Sequence, residues 1–314
     1  MRLSIVVPAY NAAPFLERCI RSLEGQDVAR EDYEIIIVDD GSTDETPLIA
    51  ARLSREFGNI HILTQTNKGL SVARNEGIAH AEGEFLMFVD SDDALRPACL
   101  AAILERCESQ DLDLLRIGAV GAGSAAVCSG LDVLRGRVKV CAPFSVCRKA
   151  LLDEHQLRFF PGIFHEDAEF TPRLYYYAKR VSSLPEDAYV VNRTSGSITG
   201  TPDPKRVHDM LLVMDRLDAF AAGLPWSERK AFHDCISSNM NYALHLATDF
   251  SVASSDLRRN FAQAFAGCSK LFLHLRASSR FRWKMEGLLF GLFPRRALCI
   301  YSFFYRFVKP DPDA

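Results

Sequence analysis

Four apolar runs that alternate with helical segments most constrain how this chain can fold. Each run is short and rich in aliphatic and aromatic residues, as expected for a strand buried on both faces of a sheet; the runs lie at 3–8, 34–38, 60–64 and 85–89. A helical segment follows each of them, near 12–24, 44–57, 70–81 and 97–109. This alternation predicts an α/β fold with a mostly parallel sheet flanked by helices.

The chain changes character at about residue 202. Before that point we predict helices over 144–155 and 167–179 and short strands over 181–184 and 188–192. After it, the helical period dominates and strand signals disappear. The sequence therefore predicts an α/β domain over 1–202, followed by an all-helical C-terminal region over 203–314.

Three carboxylates directly follow one of the buried strands. Asp90, Asp92 and Asp93 lie close together in the sequence, and like charges at such spacing repel and raise one another's pKa values. A divalent cation held through oxygen ligands would offset that repulsion. The other interpretation is a capped turn, because Asp and Ser favour the N-cap of a following helix.

Polar or aromatic residues also follow two other strands. Asp39 and Asp40 end the run at 34–38, and Tyr10 follows the first run. In an open α/β sheet, ligands bind just beyond the carboxyl ends of the strands. If these strands are parallel neighbours, their terminal residues converge on one crevice.

Four ordered motifs resemble those of glycosyltransferase family 2; they are Ser4–Asn11, Val38–Asp44, Asn67–Asn75 and Asp90–Asp93. The likeness is close from residue 1 to residue 95 and looser up to Thr199. It implies the GT-A fold and the inverting transfer of a sugar from a nucleotide-diphosphate donor to a hydroxyl, as in bacterial surface-polysaccharide synthesis. It also implies a divalent metal, Mn²⁺ or Mg²⁺.

The resemblance places the donor at the strand ends. Asp39 would accept a hydrogen bond from a uracil imide N–H, which favours a UDP-sugar, and Tyr10 would pack against the base. The implied nucleotide-sugar contacts are Pro8, Ala9, Tyr10, Asp39, Asp40, Lys68, Arg74, Asp90, Ser91, Arg193 and Ser197. Two of them have a simpler interpretation, since Tyr10 could be ordinary core packing and Lys68 a solvated surface residue.

The resemblance also implies metal and catalytic residues. Asp92 would be the main metal ligand, with Asp90 beside it and nearer the ribose. Asp167, in the pair with Glu166, would be the general base that accepts the proton of the acceptor hydroxyl. The alternative is that both carboxylates only favour a helix N-terminus electrostatically.

The segment 270–309 differs from the rest of the chain in charge. Glu286 is its single acid, and its bases are Lys270, Arg276, Arg280, Arg282, Lys284, Arg295, Arg296, Arg306 and Lys309. Aromatic residues and leucines alternate with them, and Pro294 interrupts the apolar run before it reaches the length of about 20 residues that a membrane span needs. We expect basic amphipathic helices that lie on an anionic membrane surface; the alternative is a packed helical hairpin with a solvated basic face.

Net charge and cysteine content limit the kinds of partner and the cell compartment that we expect. The net charge of −3 gives no reason to expect nucleic-acid binding. The nine cysteines form no Cys-x-x-Cys pair and the N-terminus shows no signal-peptide pattern, which favours reduced thiols in the cytoplasm. We therefore expect a cytoplasmic enzyme held peripherally at the inner face of the membrane, where it would meet a glycan or lipid-linked acceptor.

Two other functions suit the same broad fold. A sugar nucleotidyltransferase would carry a Gly-rich loop after the first strand, but Pro8–Ala13 contains no glycine. A non-catalytic partner would bind sugar nucleotide or membrane only, yet all the expected carboxylates are present. The Gln-x-x-Arg-Trp motif of processive polymerases is incomplete, because Ser279 stands at the Gln position before Arg282 and Trp283. This favours transfer of a single sugar.

Overall fold

The computed structural model describes residues 1–117, 126–135, 142–184, 188–192 and 203–305. The chain divides into two compact units. The first is formed by Met1–Val133, Lys139–Gly162 and Arg173–Ser197, and the second by Leu134–Val138, Ile163–Pro172 and Ile198–Ala314. The described donor and metal residues lie in the first unit, whereas Glu166 and Asp167 lie in the second.

The first unit is built on a mixed sheet. The strands in the described ranges are β1 (Leu3–Ala9), β2 (Tyr33–Asp39), β3 (Ile60–Thr64), β4 (Phe85–Phe88), β5 (Ala94–Leu95), β6 (Leu114–Arg116), β7 (Ser145–Arg148), β8 (Val181–Ser183) and β9 (Tyr189–Val190). Among them, seven form one sheet in the order β3-β2-β1-β4-β7-β6-β8, and β5 pairs with β9. All its neighbouring strands are parallel except β7, which is antiparallel to β4 and β6. The predicted mostly parallel sheet is confirmed.

Helices cover both faces of this sheet. The described helices from residue 13 to residue 177 are α1 (Ala13–Glu24), α2 (Thr46–Glu56), α3 (Leu70–His80), α4 (Leu100–Ser109), α5 (Gly130–Arg135), α6 (Lys149–Glu154) and α7 (Glu166–Tyr177). The residues of α5 and α7 are divided between the two units. Ile5 and Ile35 share one apolar core with residues of α1, α2 and α4. On the other face α3 approaches so closely that a Cβ on Gly77 would lie 2.2 Å from Val6 Cγ1. Because both faces are covered, β1, β2 and β4 are apolar along most of their length.

The predicted helix over 144–155 is wrong in its first half. Ser145–Arg148 form β7, and α6 begins only at Lys149. Cys147 pairs with Leu86 of β4 on one side and with Leu114 of β6 on the other. These pairings with two neighbouring strands outweigh the weak helical pattern of a four-residue segment.

The second unit is helical after residue 203, as predicted. Its helices in the described part of the chain are α8 (Lys205–Ala222), α9 (Trp226–Ala253), α10 (Ser255–Gly267), α11 (Phe272–Ala277), α12 (Phe281–Leu292) and α13 (Ala297–Tyr305). Within the described ranges, no single helix is both long and apolar enough to cross a membrane. Two consecutive helical segments reach the length and apolar composition of a membrane span only when they are taken together. They are Phe281–Leu292 and Pro294–Phe304, and the chain bends by 115° between them.

Polar contacts link α8, α9 and α11 inside this unit. His274 Nε2 lies 2.9 Å from Asp218 Oδ1, and His274 Nδ1 lies 2.8 Å from His233 Nδ1. Neutral His274 satisfies both contacts if it donates from Nε2 and accepts at Nδ1. Burial lowers the pKa of both histidines and so favours this neutral form. The charged groups that face the two rings are Asp218, Lys230, Asp234 and Lys270.

Candidate active site

The carboxyl ends of β2, β1 and β4 lie side by side. Asp39 at the end of β2 pairs with Ala9, the last residue of β1. Phe88 at the end of β4 pairs with Val6 of β1, and Asp90 follows two residues later. Neighbouring strands are about 4.8 Å apart, so the backbones of Asp39 and Asp90 are separated by roughly 10 Å across β1. The carboxylates of β2 and β4 therefore meet at one edge of the sheet.

Asp40 fastens the loop after β3 to the end of β2. Its Oδ1 accepts hydrogen bonds from the Gln65 side chain at 2.6 Å and from the Lys68 backbone N–H at 2.8 Å. Its Oδ2 accepts a hydrogen bond from the Gly69 N–H at 2.8 Å. The Lys68 side chain itself is exposed. Asp40 thus acts on the site by shaping the loop 65–69.

Gly41 packs against the same loop. Its φ is +74°, and a Cβ there would lie 2.7 Å from the backbone N of Asn67 and 3.1 Å from the backbone O of Gln65. A glycine is needed both for the left-handed conformation and for this close approach.

Asp39 and Tyr10 are the residues predicted to contact the base. Asp39 is buried, and its Oδ1 accepts the Ser42 N–H at 3.0 Å. In the described part of the chain no group donates to its Oδ2, so one acceptor oxygen is left for a ligand. The Tyr10 side chain is 50% exposed and therefore does not belong to the core. Pro8 lies buried in the strand below it.

Arg74 forms a buried ion pair with Asp90. Arg74 Nη2 donates to Asp90 Oδ1 at 2.8 Å, and its side chain is only 3% exposed. Its guanidinium carbon lies 5.3 Å from the ring centre of Phe159 and 6.0 Å from that of Phe88. These contacts hold the cation in place and fix the Asp90 carboxylate at the strand end.

The turn after β4 is held from the distant strand β9. Tyr189 donates its O–H to Asp93 Oδ2 at 2.8 Å, and its oxygen accepts the Asp90 N–H at 3.0 Å. Asn192 donates its N–H to Asp93 Oδ1 at 2.8 Å and its side-chain amide to Asp92 O at 2.9 Å. Burial raises the pKa of Asp93 to about 6. Asp93 is therefore a buried anchor of the turn.

Asp90 and Asp92 are the other two carboxylates of this turn; both are partly exposed and they lie on either side of Ser91. Among the described residues, no group of three or more His, Cys, Asp or Glu side chains is placed to hold a metal ion. A hard divalent cation that binds together with a diphosphate needs only one or two protein carboxylates, because phosphate oxygens and water supply the other ligands. The residues present fit a metal of that kind.

The predicted catalytic pair opens helix α7 in the second unit. Glu166 is the first residue of this helix, and Asp167 Oδ1 accepts the Ala168 N–H at 2.8 Å. His165 precedes the pair with a φ of +62°. Burial lowers the pKa of His165 to about 4, so this ring is neutral at physiological pH.

Contacts with α8 fix the start of α7. The Phe164 N–H donates to Asp209 Oδ2 at 2.7 Å. One turn into α7, the buried Glu169 accepts a hydrogen bond from Arg216 Nε at 3.1 Å. The backbone that carries Glu166 and Asp167 is therefore held at both ends of the first turn. The predicted diphosphate contacts Arg193 and Ser197 lie outside the described residues.

Comparison with known proteins identifies the strand-end motifs. Residues 4–121 match the family described as glycosyl transferase family 2. This segment is a glycosyl transferase family 2 domain. The uncharacterized glycosyltransferase EpsJ of Bacillus subtilis is 31% identical over 220 residues, which cover 64% of this chain and 63% of EpsJ. The poly(ribitol-phosphate) β-N-acetylglucosaminyltransferase TarS of Staphylococcus aureus is 30% identical over 201 residues, 60% of this chain and 35% of TarS. The chain thus spans less than two thirds of the length of these relatives.

Solved structures share the fold. The crystal structure of S. aureus TarS 1–349 in complex with UDP-GlcNAc superposes with a TM-score of 0.79 at 22% identity, over 98% of this chain and 92% of that one. The mannosyltransferase PcManGT of Pyrobaculum calidifontis, in complex with GDP-Man and Mn²⁺, gives a TM-score of 0.58 at 18% identity, over 96% and 87% of the two chains. The GT-A fold predicted for the family 2 domain is confirmed.

Sequence reasoning missed the residues that support the family 2 motifs. Tyr189 and Asn192 hold the turn after β4, and Arg18 of α1 donates to Asp92 O at 2.5 Å. Asn11, in the left-handed conformation with a φ of +48°, accepts the Thr43 N–H at 2.8 Å and so ties the ends of β1 and β2 together. Of these, only Asn11 lies in a motif that the sequence singled out. The others are remote in sequence from the groups that they hold.

Proposed function

We propose that this protein is an inverting, metal-dependent, non-processive glycosyltransferase that moves one sugar from a nucleotide-diphosphate donor to a hydroxyl of a glycan or lipid-linked glycan acceptor. The observation that carries the proposal is the edge of the sheet at β2, β1 and β4. There a family 2 domain presents an acceptor carboxylate, an exposed aromatic ring and a pair of carboxylates. A donor has its base, ribose and diphosphate in the same order.

The donor is proposed to be a UDP-sugar. The Asp39 oxygen that has no partner in the described chain can accept a uracil imide N–H, and the half-exposed Tyr10 ring can stack on the base. The structure of TarS with UDP-GlcNAc, which shares the fold, supports this choice. Ser91 and the ion-paired Asp90 are then the protein groups nearest the ribose.

A divalent metal, Mn²⁺ or Mg²⁺, would be held by Asp92 with Asp90 beside it. When bound, such an ion neutralises the charge that develops on the departing diphosphate. The chain's own contribution is to hold the two carboxylates in place, through Arg74 and through the bonds of Tyr189 to the turn. The neighbour PcManGT was solved with GDP-Man and Mn²⁺. Arg193 and Ser197 are proposed as further diphosphate contacts.

Asp167 is proposed as the general base. It would accept the proton of the acceptor hydroxyl as that oxygen attacks the anomeric carbon and the diphosphate leaves from the opposite face, which inverts the configuration. Glu166, its neighbour, would have the lesser role of orienting the acceptor. The contacts that fix the first turn of α7 support this role, because a base must be held in a defined position.

The test is release of UDP from UDP-GlcNAc by the full-length protein with Mn²⁺, with water as the acceptor. Asp92→Asn should lower the rate about 100-fold or more, because it removes the charge needed beside the metal and diphosphate. Asp167→Asn should lower the rate about 100-fold while donor affinity, measured by calorimetry, stays unchanged.

The matched control is Asp256→Asn, which removes an 81% exposed carboxylate on α10 and should leave the rate unchanged. UDP release that persists in the presence of a metal chelator would contradict the role of Asp92. A collapse of donor affinity in Asp167→Asn would show that this residue belongs to the donor site instead.

A further inference from the structure

Helix α12 carries a stripe of large apolar side chains on its outer face. Phe281, Met285, Leu288 and Leu292 recur at the spacing that aligns residues along one side of a helix, and their exposed fractions are 78%, 44%, 43% and 64%. The stripe is about 16 Å long, because a helix rises 1.5 Å per residue. Phe293 extends it and is also exposed. Such an apolar patch on a protein surface indicates a contact with something outside the fold.

The orientation of α12 is fixed, so the apolar stripe cannot turn inward. Trp283, Gly287 and Phe290 are buried on the opposite face of the helix. A Cβ at Gly287 would lie 2.6 Å from the backbone N of Arg276 and 2.7 Å from Leu275 Cβ, so α12 packs backbone to backbone on α11. A rotation that hid the stripe would expose the Trp283 and Phe290 rings.

Basic side chains border the apolar stripe. Lys284 lies on α12, Arg295 and Arg296 follow it, and all three are exposed. Glu286 is the only acid between residues 270 and 309. Its side chain is 12% exposed and accepts a hydrogen bond from Arg282 at 2.8 Å, so it adds little negative charge to the surface. The exposed charged side chains of α12 and of the turn that follows it are therefore mostly basic.

We propose that the apolar stripe inserts into the headgroup boundary of an anionic lipid bilayer, while Lys284, Arg295 and Arg296 contact lipid phosphates. A partner must offer an apolar region for the stripe and negative charge for the basic side chains beside it. An anionic membrane surface has both properties. The bend of 115° between α12 and the next helix favours a position along the surface over one across the bilayer. The proposal rests on the proposed function in one respect, namely that a lipid-linked acceptor would be presented at this surface.

Flotation of the full-length protein with vesicles tests the proposal. The vesicles are phosphatidylcholine alone, or phosphatidylcholine with about one third phosphatidylglycerol. Phe281→Ser/Leu292→Ser should lower the affinity for the anionic vesicles about tenfold or more. The matched control is Leu48→Ser on α2, outside the stripe, where the side chain is 72% exposed. This variant should bind as the wild type does.

A second pair of variants tests the charges. Lys284→Ser/Arg295→Ser should also weaken binding about tenfold and should reduce its dependence on salt, because fewer cations then contact the headgroups. Arg55→Ser, an exposed arginine of α2, is the control.

The flotation and UDP-release assays test membrane binding and the proposed activity separately. Loss of flotation in the stripe variant, with UDP release from UDP-GlcNAc unchanged in solution, supports the proposal. Flotation equal to the wild type, or equal binding to both kinds of vesicle, overturns it. If size-exclusion chromatography shows a wild-type dimer that the stripe variant cannot form, and neither protein floats, the stripe joins two copies and the proposal is wrong. Flotation without any UDP release would reject the proposed function and leave the membrane surface standing.

Discussion

Removal of Arg74 and removal of Asp90 should lower the free energy of unfolding by different amounts, although the two residues form one ion pair. The Arg74 side chain is 3% exposed, whereas Asp90 keeps 35% of its side-chain surface in contact with solvent. Asp90→Asn leaves a buried guanidinium beside a neutral amide, and arginine cannot lose its proton to escape the cost. Arg74→Met leaves a carboxylate that water can reach, and it puts a flexible apolar side chain against the rings of Phe88 and Phe159.

These differences in exposure determine how much unfolding free energy each variant should lose. Loss of one partner of a buried ion pair costs about 3–5 kcal/mol of unfolding free energy. Asp90→Asn should lie near 3 kcal/mol, at the lower end of that range, because the amide oxygen still accepts one hydrogen bond and because repulsion with Asp92 and Asp93 is relieved. Arg74→Met should cost only about 1–2 kcal/mol, mostly the lost hydrogen bond and cation–π contact. The double variant should cost less than the sum, because no buried charge remains.

Urea unfolding followed by far-UV circular dichroism measures the three variants. Both tryptophans, Trp226 and Trp283, lie in the second unit, so fluorescence reports on that unit while circular dichroism reports on the whole chain. Hydrogen exchange of the amides of β4 and α3 shows whether the loss is local. The reasoning is refuted if Arg74→Met destabilises the protein as much as Asp90→Asn, or if the two costs simply add.

Three further predictions concern other parts of the molecule. Tyr189→Phe removes the hydroxyl that bridges the turn after β4, so thermal unfolding should show a loss of about 1–3 kcal/mol, and calorimetry should show weaker binding of UDP with Mn²⁺. Gly41→Ala should cost at least about 1 kcal/mol because of its positive φ and close contacts, whereas Gly58→Ala, where a Cβ has open space, should be neutral in the same thermal assay. Acidification from about pH 7 to about pH 5 should destabilise the second unit, since the lowered pKa values of His233 and His274 mean that the unfolded chain takes up protons first. That stability is complete above the unfolded pKa of about 6.5 and is lost as the pH falls below it. Urea unfolding followed by tryptophan fluorescence measures this stability at each pH. A free energy of unfolding that does not change between about pH 7 and about pH 5 would contradict the prediction.

Long apolar strands were the most predictable part of the fold. β1, β2 and β4 are buried on both faces, and their sequences show this directly. The strand β7 could not be predicted, because four residues carry too short a pattern and their state is decided by pairing with β4 and β6. The two-residue strand β5 is set by the same kind of distant contact, because it pairs with β9, which lies within the strand predicted over 188–192.

In the site, too, local features could be predicted from the sequence and distant contacts could not. Carboxylates at strand ends are visible in the sequence, because their spacing is local. What each one contacts is not visible. Asp40 binds a loop 25 or more residues away, and Asp93 binds Tyr189, which is 96 residues away. Only the folded chain shows what Asp40 and Asp93 contact; Asp39, Asp90 and Asp92 are the carboxylates that we propose for the donor and metal.

The place of β1 between β2 and β4 has a consequence for how such a domain can diverge. Of the proposed base contacts, Asp39 lies on β2 at one side of β1 and Tyr10 follows β1 itself, whereas the proposed metal contacts Asp90 and Asp92 follow β4 on the other side. The proposed base contacts and the proposed metal carboxylates therefore lie on different segments of the chain, which share β1 and are also linked by the Arg74–Asp90 ion pair. Under the proposed function, a substitution in the loop 65–69 that changes base preference would leave Asp90 and Asp92 themselves unaltered.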